Sequence, residues 1–319
     1  MSILGEHAPG RHPQEEARAR ARLEILLAGR GTAGAVLKLV PAQRAVLAGD
    51  WQGQACVFHL GLGPEAGLAA RFEELRRVRA YMDGGPFRVP EPLALLGAGE
   101  ASVTAFVAGS SLLAAMWAGD DAARHALQTR AAGWLRAHAA PGERLRPANR
   151  RPWRSRAEAG LARQGHPALI AVETQVLRRM HQLSRALRGE GAEWRVSLGH
   201  GDFHAGNLLL TPGALWGIDL GGKAVAPVCR DIARFLVHNA RRGLLPSGRR
   251  RYGVDAGGLE AFASAFGLDA VEREGDLPFF LCHELLARPE HPGLPEARIS
   301  HAREMAEGLL ADLRQRLSV

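Results

Sequence analysis

The sequence predicts an α+β chain in two lobes. A small antiparallel β-sheet lobe carries one helix between its strands, and a larger lobe that is mainly helical follows. Three observations predict it. Between residues 35 and 62, short apolar runs alternate with turn residues. Beyond Gly109 the apolar spacing becomes helical, and one segment, 196–220, interrupts the helices with two short strands around a Thr-Pro-Gly turn. The chain has 319 residues, 46% hydrophobic and 23% charged, which excludes disordered, collagen-like and coiled-coil classes.

Pro13 to Leu27 reads as an amphipathic helix, with Glu15 and Glu16 in its first turn and Gly29 and Gly31 beyond its end. VLKLV (36–40), RAVLAG (44–49) and ACVFHL (55–60) are strand-like, with a hairpin-like break at 49–53. LAARFEELRRVRAYM (68–82) is a second helix, and VPEPLALLG (89–97) and SVTAFVAG (102–109) are two more strands. The first lobe is therefore expected over 1–108 and the helical lobe over 109–319, with a polar loop and hairpin at 198–222 inside it. Helices are expected at 111–118, 120–139, 155–163, 168–188, 231–241, 257–265, 276–287 and 296–317, and the Pro/Arg-rich stretch 142–156 as an exposed loop.

Cys56, Cys229 and Cys282 are scattered and form no CxxC pair, which fits a reducing compartment and a cytoplasmic location. The N-terminus has no apolar signal core, and no apolar run is long enough to span a membrane. Net charge is +8, yet of 41 basic residues only Lys38 and Lys223 are lysine, a bias that GC-rich codon usage explains. The 13 histidines show no metal spacing with the cysteines, and neither a GxGxxG nor a GxSxG motif is present. Aromatics are only 6% with no basic–aromatic stripe, so the nucleic-acid signal is weak.

The chemistry concentrates in His200-Gly201-Asp202-Phe203-His204-Ala205-Gly206-Asn207, followed twelve residues later by Asp219. Phosphoryl transfer needs a carboxylate to orient and deprotonate an attacking hydroxyl. It also needs an amide oxygen and a second carboxylate to hold magnesium against nucleotide phosphates. Two paired strands would bring Asn207 and Asp219 to one end of a hairpin, where Asp202 on the loop could face the same metal.

The segment HGDFHAGNLLL…GIDLGGKAVAPVCRDIARFL resembles the catalytic core of the aminoglycoside phosphotransferase and choline kinase-like family, which shares the protein-kinase fold. The resemblance implies a two-lobed protein kinase-like fold that uses ATP and Mg2+. It makes Asp202 the catalytic base, Asn207 and Asp219 the metal ligands, and His204 a neighbour of the transferred phosphate. His200 and Asp231 would be structural, Asp231 opening the next helix and bracing the loop. More weakly, TAFVAGSSL resembles the hinge, whose backbone at Ala105 to Val107 would meet adenine. Glu74 in FEELRRV stands where an ion-pairing glutamate is expected, with Glu73 an open alternative.

Two departures lie in the first lobe. His59 stands at or beside the position of the phosphate-binding lysine, and the turn Val40-Pro41-Ala42-Gln43-Arg44 lacks glycines. Either Arg44 or Lys38 supplies the missing cation, or the chain is a pseudokinase with a scaffold or binding role. Only eleven residues separate Asp219 from Asp231, too few for a peptide-docking activation loop, so the acceptor is expected to be a small molecule or a glycan such as a lipid-linked sugar. The basic surface suits an anionic acceptor and leaves peripheral contact with a membrane open, while Glu284 and Asp276 are alternative acidic groups for a cationic one.

Overall fold

The computed structural model describes residues 13–63, 67–187, 192–221 and 225–317; the N-terminal segment and Lys223 lie outside them. In chain order come α1 (Pro13–Leu27), strands β1 (Gly31–Val40), β2 (Arg44–Trp51) and β3 (Gln54–Gly61), and α2 (Leu68–Arg79). Strands β4 (Phe87–Arg88), β5 (Pro92–Leu96), β6 (Ala101–Ala105) and β7 (Ser110–Ser111) follow. Next are α3 (Leu112–Ala118), α4 (Asp121–Ala139), β8 (Arg144–Pro147), α5 (Arg151–Leu161), α6 (Pro167–Ala186) and β9 (Glu193–Leu198). The hairpin β10 (Leu208–Thr211) and β11 (Ala214–Gly217) precedes β12 (Val225–Pro227), α7 (Val228–Ala240), α8 (Ala256–Phe266), α9 (Leu277–Ala287) and α10 (Glu296–Arg316). No helix among the described residues is long and apolar enough to cross a membrane.

The chain forms two compact units. One contains the described residues up to Leu112 together with those within 206–223; the other contains 113–205 together with those after 224. This differs from the expected boundary at 108 and from the expected place of 198–222 inside the helical lobe. The hairpin instead joins the first unit because its backbone partners lie there. Leu215 and Trp216 of β11 pair in parallel with Phe87 and Arg88, and Leu209 and Leu210 of β10 pair with Ser111 and Ser110.

In the first unit an antiparallel sheet runs in the order β1-β2-β3-β6-β5. Strand alternation gives its faces different chemistry. Leu47, Phe58 and Val103 sit opposite one another across β2, β3 and β6, beside Ala45, Leu60 and Ala101. This row is buried in one core with Ala19, Leu23 and Leu27 of α1. The adjacent row, Lys38, Val46, His59 and Ser102, points to the other face. The residues in question for phosphate contact thus share one side of the sheet.

The second unit is built around α9, whose residues Leu277 to Leu286 are all buried. Gly160 of α5 lets the two helices meet closely: a Cβ there would lie 2.2 Å from the Leu286 carbonyl oxygen. The stretch 142–156 is largely exposed, as expected, but it is not a loop. It contains β8, paired with β9, and its end opens α5, where Trp153 stands edge-on to Phe280 and His283. The partner strand β9 lies some fifty residues onward, a non-local pairing that local composition does not reveal. All three cysteines are free and buried.

Candidate active site

The loop 200–205 is anchored by what it buries. Phe203 is fully buried and lies against Trp134 at 5.8 Å, Phe235 at 5.4 Å and Phe262 at 6.3 Å between ring centroids. His200 packs into the same cluster beside Trp134. With these two side chains inward, Asp202 between them turns outward, its side chain 37% exposed. The backbone is tied down as well. The His200 N–H donates to Asp231 Oδ2 at 2.7 Å, and Arg230 donates to the Gly201 carbonyl at 2.8 Å. Gly201 has φ +87°, a left-handed conformation that favours glycine. Asp231 lies in the first turn of α7, where the helix dipole favours a carboxylate. Burial raises its pKa, with Arg230 and the His200 amide opposing.

Three groups converge on Asp202. Arg234 Nε donates to Oδ1 at 2.9 Å, Arg288 Nη2 stands 3.4 Å from the same oxygen, and His204 Nε2 lies 3.5 Å from Oδ2. Partial burial would raise the Asp202 pKa, but the His204 hydrogen bond and the Arg234 charge, then Arg288, outweigh it and hold the carboxyl far below the usual range. Burial lowers the His204 pKa against the pull of Asp202, so its ring is neutral near pH 7. That ring stacks on His238 with centroids 4.2 Å apart and planes 11° from parallel.

The other half of the motif lies on the hairpin in the first unit. Leu208 pairs with Gly217, and the Ile218 N–H donates to the Asn207 carbonyl at 2.9 Å. Asn207 and Asp219 therefore stand at the same open end, as the strand pairing requires. Asp219 has φ +56°, a backbone strain that aspartate tolerates better than most residues. Arg44 Nη1 lies 3.4 Å from both carboxylate oxygens and Arg71 Nη1 3.8 Å from Oδ1. Burial acts to raise the Asp219 pKa, and Arg44, His59, Arg71 and Lys38 together bring it below normal. His59 is itself pushed down, first by burial, with Asp219 opposing and Arg44 and Arg71 adding to it.

A family model for phosphotransferase enzymes matches residues 36–271, from β1 to the residues after α8. The chain belongs to this family. The kinase class and kinase-like fold read from the sequence are borne out. Solved structures of similar fold include a choline/ethanolamine kinase family protein from Mesorhizobium loti, with TM-score 0.60 and 17% identity over 94% of this chain and 99% of that one. An amicoumacin kinase bound to AMP-PNP and Ca2+ gives 0.59 and 14% over 96% and 99%. A spectinomycin phosphotransferase bound to ADP and spectinomycin gives 0.56 and 12% over 95% and 98%. At these identities the likeness is one of fold. No curated protein matches by sequence.

In this phosphotransferase the turn after β1 is closed on itself: the Gln43 N–H donates to the Val40 carbonyl at 3.1 Å and is not available to a phosphate. Of the two glutamates on α2, Glu74 is fully buried, while Glu73 is exposed and pairs with Arg76 at 3.2 Å. In the hinge, the Ala105 N–H is engaged by the Glu91 carbonyl at 2.8 Å and the Phe106 N–H by Ala55 at 3.0 Å. The Ala105 and Phe106 N–H groups are thus already engaged within the fold.

Asp276 is no acceptor group either. It is buried and receives hydrogen bonds from Arg150 and Trp194, each at 2.8 Å. Glu284 is buried between Arg288 at 3.1 Å and Arg230 at 3.5 Å. Sequence reasoning missed Arg71, Arg234 and Arg288. Arg71 is one turn before Glu74, and Arg234 is three residues after Asp231 with His238 four further on, so helical spacing would have found both. Nothing local marks Arg288.

Proposed function

We propose that the protein transfers the γ-phosphate of ATP to a hydroxyl group of a small molecule or glycan, with Mg2+ as the metal. The observation that carries this reading is Asp202, an ionised carboxylate held by His204 and Arg234 on a loop tied to α7 by Asp231. The donor set suits the metal. Asn207 and Asp219 offer an amide oxygen and a carboxylate at one hairpin end, and magnesium typically takes one or two protein oxygens with nucleotide phosphates filling the rest. When bound, it would neutralise charge on the phosphates.

In the reaction the acceptor oxygen forms a bond to γ-phosphorus as the bond from γ-phosphorus to the bridging oxygen of ADP breaks. Asp202 accepts the hydrogen bond of the attacking hydroxyl and orients it. A carboxylate held this strongly ionised is a weak base, so the proton leaves late, through Asp202 to solvent. Arg44, Arg71 and Lys38 take over the charge neutralisation usually given to a β3 lysine, and Arg44 and Arg71 bring a planar fork suited to phosphate.

A second reading, a non-catalytic nucleotide-free scaffold, is favoured by the closed turn at Gln43 and by His59, whose pKa is pushed down. Thermal unfolding with ATP, Mg2+ and both, in wild type and Asp219→Asn, separates the two. A ligand that binds only the native state stabilises it by RT ln(1 + [L]/Kd), about 2.7 kcal/mol at a hundredfold excess. The phosphotransferase reading expects an upward shift that needs both ATP and metal and is lost in the variant. The absence of any shift in wild type gives the scaffold reading the lead.

A further inference from the structure

Within the second unit, Arg234 and Arg288 both address Asp202 Oδ1. Arg288 also holds Glu284, which Arg230 shares at 3.5 Å. Arg242 lies close enough to lower the His204 and His238 pKa values, and it donates to the His238 carbonyl at 3.0 Å. Arg230, Arg234 and Arg288 thus share three carboxylates, Asp202, Glu284 and Asp231. One of these, Asp231, is committed to the His200 amide and raised by burial. Arg234 is mostly buried, and after burial the neighbouring Arg288 charge is the next cause lowering its pKa. Two guanidinium groups share the one oxygen Asp202 Oδ1, and an anion placed against the accessible one would ease their mutual repulsion.

Arg288 is the accessible member. Its side chain is 37% exposed, against 12% for Arg234 and 2% for Glu284. An anion bonded to the guanidinium of Arg288, itself 3.4 Å from Asp202, would sit within about 7 Å of that carboxylate, since charge-assisted hydrogen bonds add about 2.8 Å. A hydroxyl presented to Asp202 would then be only two or three carbons from the anionic group.

We propose that the acceptor is a hydroxylated anion, a short hydroxy acid or hydroxyalkyl phosphate, and that Arg288, supported by Arg234, is its specificity-determining contact. The inference rests on the phosphotransferase reading, since it assigns Asp202 to the acceptor hydroxyl. It sets this protein apart from relatives named for antibiotics and choline or ethanolamine.

The test uses the full chain saturated with Mg2+ and AMP-PNP, so that the nucleotide's phosphates already cover Arg44 and Arg71. D-glycerate, glycerol 3-phosphate, glycerol and choline are titrated by calorimetry and thermal shift, in wild type, Arg288→Gln, Arg288→Lys and the exposed control Arg163→Gln. The two anions are expected to bind wild type and the control, more weakly as salt rises, with glycerol and choline ineffective. Loss of a charge-assisted bidentate contact should weaken anion binding about tenfold or more in Arg288→Gln, with Arg288→Lys between. Retention of the AMP-PNP shift in these variants shows that they are folded. Anion binding equal in Arg288→Gln and wild type, no anion binding in wild type, or preference for choline would each overturn the proposal. If Mg2+ and AMP-PNP themselves produce no shift in wild type, it is the phosphotransferase reading that fails, a result separate from any anion response.

Discussion

The two aspartates at the centre of this protein are held in contrasting ways. Asp202 sits on a loop fixed from beneath by the buried Phe203 and from behind by Asp231, with a guanidinium at 2.9 Å. Asp219 sits at the end of a hairpin in a left-handed backbone conformation, with guanidinium groups at 3.4 and 3.8 Å, beside a turn that keeps its amides to itself. If the two aspartates serve acceptor and nucleotide as proposed, the acceptor side is prebuilt by packing and backbone hydrogen bonds, whereas the nucleotide side relies on long cationic side chains that must be ordered on binding.

The largest test of this contrast is Asp202→Ala, expected to lower kcat by about a hundred- to ten-thousandfold while the nucleotide-dependent thermal shift stays within error. Turnover near wild type would break the comparison outright. Next, Phe203→Ala should cost about 3–5 kcal/mol of stability in denaturant unfolding, because it empties the centre of the aromatic cluster. A small loss would mean that the loop is not held by its plug. On the nucleotide side, Arg44→Ala and Arg71→Ala should each weaken Mg·ATP binding by about 1.5–3 kcal/mol, the worth of a hydrogen bond to a charged group, read by calorimetry. If Arg44 dominates, in line with its shorter distances, the turn still contributes a cation even though its Gln43 amide is engaged.

The smallest effect concerns pH. His138, stacked on Trp134 at 5.2 Å, has its pKa lowered to about 3, chiefly by burial. The unfolded chain binds a proton near the ordinary histidine value of 6.5 that the folded state refuses. Stability is then complete above that value and declines as pH falls toward about 3. His138→Phe should flatten the decline in thermal unfolding between pH 7 and 5, and an unchanged slope would remove His138 from the account.

Much of this was legible in the sequence because it is local. The spacing of Asp202, Asn207 and Asp219 around a turn fits both a hairpin and a chemistry, and the apolar runs VLKLV, RAVLAG and ACVFHL fall in the paired strands β1, β2 and β3. What escaped depends on distant partners. β8 exists because β9 pairs with it, the hairpin joins the first unit because β4 and β7 receive it, and Arg288 reaches Asp202 from the end of α9. The hinge shows a finer limit. Composition indicates where a strand ends but not which amide is already spoken for, and Ala105 is.

The histidine on β3 has a practical side. Acyl-phosphate derivatives of ATP label kinases by acylating an amine beside the phosphates, and the usual target is missing here. Apart from Lys223, the chain has one lysine, Lys38, which shares a sheet face with His59 and acts electrostatically on Asp219. Such a reagent would report this protein only through Lys38 or Lys223, and never through a lysine on β3.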